Sequence, residues 1–142
     1  MFILQTLAIC TTILFVKVIV TLVIQGHSHY TPGPIDPEDF NLVPEKNAEE
    51  QHLIERELRW KRIVANDLEN IPFGLIIFLL AFITQSNEIV NTVCVILFTV
   101  GRVGHTLAYA YSLQPYRSVF WAIGVLSVLA ASINSIVGVF SA

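Results

Sequence analysis

Four apolar runs, each long enough to cross a bilayer, constrain this chain more than any other feature. They occupy residues 2–24, 63–83, 89–111 and 117–140. At 1.5 Å of rise per residue, about 20 residues cover the roughly 30 Å hydrocarbon core. Hydrocarbon offers no hydrogen bonds, so each run must satisfy its own backbone, and a helix does that within one segment. The 142 residues are 54% apolar and 13% charged, with a mean hydropathy of +0.67, which takes the chain out of the soluble class. The expected fold is all-α: a single integral membrane four-helix bundle over residues 1–142, with its longest loop at about 25–46. Membrane lipid is therefore an expected partner, and nucleic acid is not.

The second run is not plain hydrocarbon. It grows out of Arg59-Trp60-Lys61-Arg62 and carries Asn66-Asp67-Leu68-Glu69-Asn70 before Pro72 and Phe73. Glu55, Arg59, Arg62, Asn66, Glu69 and Phe73 recur in steps of four and three, so they line one helical face. A charge placed centrally in a membrane helix costs about 2.5–3.5 kcal/mol on insertion scales, less near the interface. Two readings account for charges kept at that cost. In one, Asp67 and Glu69 pair along the helix with Arg59 and Arg62 as a salt-bridge ladder. In the other, the stripe is one wall of a polar pocket. Thr99, Arg102, His105 and Tyr109 share a face of the third run and would supply the opposite wall. A four-span channel or proton pathway could use the same groups. Arg117-Ser118 opens the fourth run, where a guanidinium and free first-turn amides make either an anion site or a basic interface anchor. Pro72 removes an amide donor, and a bend is expected at the level of Glu69.

The rest of the chain frames that site. The first run has no basic leader and no small-residue cleavage site, so it is expected to remain as a span. Lys17 inside it either snorkels toward the span end or joins a site between helices. Thr31-Pro32-Gly33-Pro34 and Asp36-Pro37-Glu38-Asp39 are turn material. His27 and His29 have no companions to complete a metal set, and Cys10 and Cys94 read as small buried hydrophobes; no metal is expected. Asn47-Ala48-Glu49-Glu50 resembles a helix N-cap with acids in the first turn. All eight basic side chains (Lys17, Lys46, Arg56, Arg59, Lys61, Arg62, Arg102 and Arg117) fall toward one side of a four-span topology. By the positive-inside rule that side is cytoplasmic and both termini lie across the membrane.

Glu55-Arg56-x-x-Arg59-x-x-Arg62-x-x-x-Asn66-Asp67-Leu68-Glu69-Asn70-Ile71-Pro72-Phe73 resembles the second-helix motif of the MAPEG family, the membrane-associated proteins in eicosanoid and glutathione metabolism. Asp36-Pro37-Glu38-Asp39 is similar to the loop before that helix in the microsomal glutathione transferases. Arg102-Val103-Gly104-His105-Thr106-Leu107-Ala108-Tyr109, followed by Pro115-Tyr116-Arg117-Ser118, is similar to the third-helix and loop segment of the same group. The likeness runs from Asp36 to about Trp121. Ala65 stands where the prostaglandin E synthase branch has an arginine, and Pro72 comes one residue earlier than in vertebrate microsomal transferases.

The resemblance implies a homotrimer that binds glutathione between subunits near the cytoplasmic face. It implies that Arg59, Arg62, Asn66, Glu69, His105 and Tyr109 hold glutathione, and that Arg117, with Ser118 beside it, stabilises the sulfur. Glutathione is then the co-substrate, and the second substrate is a lipophilic small molecule. The implied activity is a glutathione transferase, with peroxidase activity on lipid hydroperoxides as an extension. A glutathione-dependent prostaglandin or leukotriene synthase and a non-catalytic lipid-presenting scaffold are the other roles the fold supports. The implied membrane is endoplasmic reticulum in a eukaryote and the inner membrane in a bacterium.

Overall fold

The computed structural model describes residues 2–28 and 48–141, and their regular structure is four helices: α1 (Phe2–His27), α2 (Ala48–Ile83), α3 (Glu88–Ala110) and α4 (Gln114–Ser141). All four are long and apolar enough to cross a membrane. The expected all-α four-helix membrane bundle is the architecture found. The Asp36–Asp39 segment, His29, Asn47 and most of the expected loop lie outside the described residues.

Two helices are longer than the hydropathy pattern proposes. α1 carries on through Gln25, Gly26 and His27, which were expected in the loop; its last turn gains a bond between His27 Nδ1 and the Val23 carbonyl at 2.9 Å. α4 begins at Gln114 rather than near Arg117. Pro115 is compatible with that earlier start, because a first helical turn needs no amide donor there. Pro72 lies inside α2 without ending it, and the helix continues to Ile83.

Both tight connections use the same device. After α2, Gln85 takes a left-handed φ of 50°; its N–H donates to the Phe82 carbonyl (3.2 Å) and the Ser86 N–H to Ala81 (3.3 Å). After α3, Ser112 takes φ 59°, with Ser112 N–H to Tyr109 (3.2 Å) and Leu113 N–H to Ala108 (2.8 Å). This paired pattern closes the carbonyls that a helix end leaves open. Asn87 then caps α3, its Oδ1 accepting from the amides of Ile89 and Val90. The second turn matters for function, since it ties Tyr109 and Arg117 to one short, hydrogen-bonded corner.

All four helices contribute to one apolar core: Leu7, Cys10 and Leu14 from α1, Ile71 and Phe78 from α2, Cys94, Val95 and Phe98 from α3, and Ala131 from α4. Phe78 and Phe98 meet edge to face at 5.3 Å, a favoured aromatic geometry. α3 and α4 approach closely where α3 has no side chain. A Cβ on Gly101 would stand 3.1 Å from the Phe120 carbonyl, and one on Gly104 would stand 2.5 Å from the Phe120 ring. Small residues allow such backbone approach in membrane bundles. Phe15, Phe73, Leu126 and Phe140 are among the many large apolar side chains left on the outside, as a lipid solvent requires.

Candidate functional site

The charged residues of the membrane region divide into two sets. The first is internal. Asp67 on α2 is 1% exposed and sits between Lys17 of α1, with which it forms an ion pair, and Arg102 of α3. Arg102, also 1% exposed, donates from Nη2 to Asp67 Oδ1 at 2.8 Å. The same nitrogen donates to Asn66, to its side-chain Oδ1 at 2.6 Å and its backbone carbonyl at 3.2 Å. Three helices are thereby joined at one depth. Lys17 does not snorkel; its side chain is only 10% exposed and reaches inward to Asp67. The ladder along α2 does not form either. Asp67 takes partners from α1 and α3, and a charged pair along α2 is Glu57 with Lys61 at 2.7 Å, outside the proposed ladder.

The second set faces a cavity. One hollow of about 630 Å³ is lined by Arg62, Asn66 and Glu69 of α2, His105 and Tyr109 of α3, and Arg117 and Ser118 of α4, with Ala65, Trp121 and Ala122 completing it. A neighbouring hollow of about 360 Å³ shares Arg62, Tyr109 and Arg117 and adds Glu55, Arg59, Ser112 and Gln114. Small-molecule sites fall in roughly this size range, 300–1,000 Å³. Arg62 and Glu69 form no hydrogen bond or ion pair among the described residues. Arg117 stacks over the Tyr109 ring, 4.8 Å from its centroid, and no carboxylate among the described residues pairs with it. The Tyr109 ring also meets that of His105 at 5.9 Å, and His105 Nδ1 is buried without a hydrogen-bond partner among the described residues.

Each element places its residues for a local reason. The four-three spacing on α2 puts Glu55, Arg59, Arg62, Asn66 and Glu69 along the two hollows, as the helical pattern predicts. Arg59 also donates from Nη1 to the Ala110 carbonyl (3.4 Å), which closes the C-terminal end of α3 with a cation. A smaller, mostly apolar groove of about 270 Å³ shares Glu69 and runs past Phe73, Gly74, Phe98, Gly124 and Val128, with Asn70 and Arg102 also in its lining.

All eight residues expected at the site therefore line the two connected hollows, and Arg102, expected to face the same pocket, lies behind it. One expectation about Arg117 changes. Its own amide already donates to the Leu113 carbonyl at 3.2 Å, because α4 starts a turn earlier. Arg117 and Ser118 line the cavity. The sequence reading missed Trp121. It lies one helical turn beyond Arg117, so the same i, i+4 rule applied to α4 would have found it. No group of three metal-ligating side chains occurs among the described residues.

Comparison with known proteins gives one family: the model described as MAPEG family matches residues 3–137. No curated protein matches the chain.

Proposed function

This chain belongs to the MAPEG family, and from that premise we propose that it activates glutathione as a thiolate for attack on lipophilic electrophiles. One observation carries the reading: Arg62, Glu69 and Arg117 line one cavity with no ion-pair partner among the described residues. Charges left unpaired at membrane depth favour a ligand that supplies the counter-charges. Glutathione, with two carboxylates, an ammonium and a thiol, is complementary to that set. Arg59 and Arg62 suit its carboxylates and Glu69 its ammonium, while Asn66, His105 and Tyr109 complete the polar wall.

Arg117 is the group for the sulfur. A free thiol has a pKa of about 8.5, so only a few per cent is thiolate at pH 7. A guanidinium beside the sulfur favours the charged form, and each pKa unit of depression is worth about 1.4 kcal/mol. Two units would ionise most of the bound thiol. Stacking on Tyr109 restrains the Arg117 side chain while leaving its N–H edge free for a thiolate. Ser118 can donate a hydrogen bond to the same atom. The sulfur lone pair then forms the bond to the electrophilic carbon, and the leaving group departs with the electron pair of the broken bond. The apolar groove beside Glu69 offers a membrane-dissolved electrophile an approach.

The working unit in this reading is a homotrimer with glutathione held between neighbouring subunits, and the site faces the cytoplasm. A cysteine placed at Tyr116 should label from the cytoplasmic side of sealed vesicles; labelling only after permeabilisation would reverse the orientation. The activity is tested by mixing purified protein with glutathione and following thiolate absorbance by stopped flow. A fast, saturable rise, with conjugation of an added electrophile, is expected. A protein that binds no glutathione would return the site to a channel. Thiolate formation without conjugation of any electrophile would point to a lipid-presenting scaffold.

A further inference from the structure

We propose that Arg102 is a positioning residue for Asn66: it turns the Asn66 amide so that the NH₂ group faces the cavity and donates to an anionic group of glutathione. The proposal rests on the reading that this cavity holds glutathione.

Arg102 has donors and no acceptor. Its Nη2 lies 2.6 Å from the Asn66 side-chain oxygen, so the amide is oriented by chemistry: the reverse flip would set N–H groups against a guanidinium. The oxygen is thus turned inward, and the nitrogen is the end left for the cavity that Asn66 lines. That nitrogen has no partner among the described residues. The guanidinium cannot swing away easily, because Asp67 holds the same Nη2 at 2.8 Å and Lys17 holds Asp67 from the far side. Asp67 and Arg102 are each 1% exposed, which leaves little room for another rotamer.

Charge decides which ligand group the NH₂ prefers. Of the charges in the buried cluster, the cation of Arg102 is the one bonded to Asn66, and it stands directly behind the amide. A guanidinium bonded to an amide oxygen polarises that amide and strengthens its N–H donors, roughly 10–30% per bond in such chains. An anion is therefore the favoured partner, and the ammonium of glutathione is left to Glu69, one turn along the same wall. Asparagine alone would serve either group equally; Arg102 removes the choice.

The test uses the full chain in detergent, with calorimetric titration of glutathione and thermal unfolding on the same preparations. Asn66→Asp keeps an acceptor for Arg102 but replaces the donor facing the cavity. It should unfold at or above the wild-type temperature and lose at least tenfold in affinity; undiminished affinity overturns the proposal. The second arm is a cycle of Arg102→Lys and Asn66→Ala. Arg102→Lys should weaken binding about fivefold alone and less than twofold in the Asn66→Ala background, a coupling that a purely structural role would not produce. Equal losses in both backgrounds overturn the positioning role. If Arg102→Lys fails to fold, undiminished affinity in Asn66→Asp still overturns the proposal. Wild type that binds no glutathione overturns the functional reading and this proposal with it, whereas binding with additive losses overturns the proposal alone.

Discussion

Asp67 and Glu69 are carboxylates two residues apart on α2, and the bundle treats them in opposite ways. Asp67 is 1% exposed and held by cations from two other helices. Glu69 opens onto the cavity and has no partner among the described residues. Two residues turn a helix by about 200°, so one carboxylate points into the bundle and the other away from it. The difference separates two uses of charge in a membrane. Paired charge joins α1, α2 and α3, and unpaired charge faces the cavity. Asn66 and Arg102 lie on the border, where the first set touches the second.

The harshest way to break this comparison is to remove the inner carboxylate. Asp67→Ala leaves Lys17 and Arg102 buried with no counter-charge, which should cost about 3–5 kcal/mol of stability. Thermal unfolding in detergent should show a large loss, or no folded protein at all. Survival with an unchanged unfolding temperature would mean that the cluster holds nothing together.

A milder effect is expected at the outer carboxylate. Glu69→Gln should leave the unfolding temperature within a few degrees of wild type and weaken glutathione about tenfold, or about 1.4 kcal/mol, by titration. Loss of assembly with unchanged affinity in the remaining protein would move Glu69 into the structural set.

The smallest effect sharpens the comparison within the inner set. Lys17→Met removes one cation and leaves the matched Asp67–Arg102 pair, so stability should change by no more than about 1 kcal/mol. A loss as large as that of Asp67→Ala would show that Lys17, rather than Arg102, is the partner that matters.

Much of this was legible in the chain. Apolar run length sets the four helices, and the four-three spacing of Glu55, Arg59, Arg62, Asn66 and Glu69 places them on one wall. Periodicity cannot show which neighbour a charge will choose. The Lys17–Asp67–Arg102 cluster joins residues from three separated runs, and only the packing of α1 and α3 on α2 brings them together. Helix ends were also hard to read. Gln85 and Ser112 take left-handed conformations without being glycine, so neither announces its turn, and α4 starts earlier than its hydropathy does.

The central claim, that an unpaired guanidinium makes the thiolate, is tested most directly at Arg117. Arg117→Ala should bind glutathione within about tenfold of wild type, roughly 1.4 kcal/mol, because Arg62, Asn66 and Glu69 remain. The quantity to measure is the thiolate absorbance of the bound ligand at pH 7. It should nearly vanish in Arg117→Ala, conjugation should fall with it, and Ser118→Ala should keep most of the band. A full thiolate band in Arg117→Ala, with its loss in Ser118→Ala, would make Ser118 and not Arg117 the group that stabilises the sulfur.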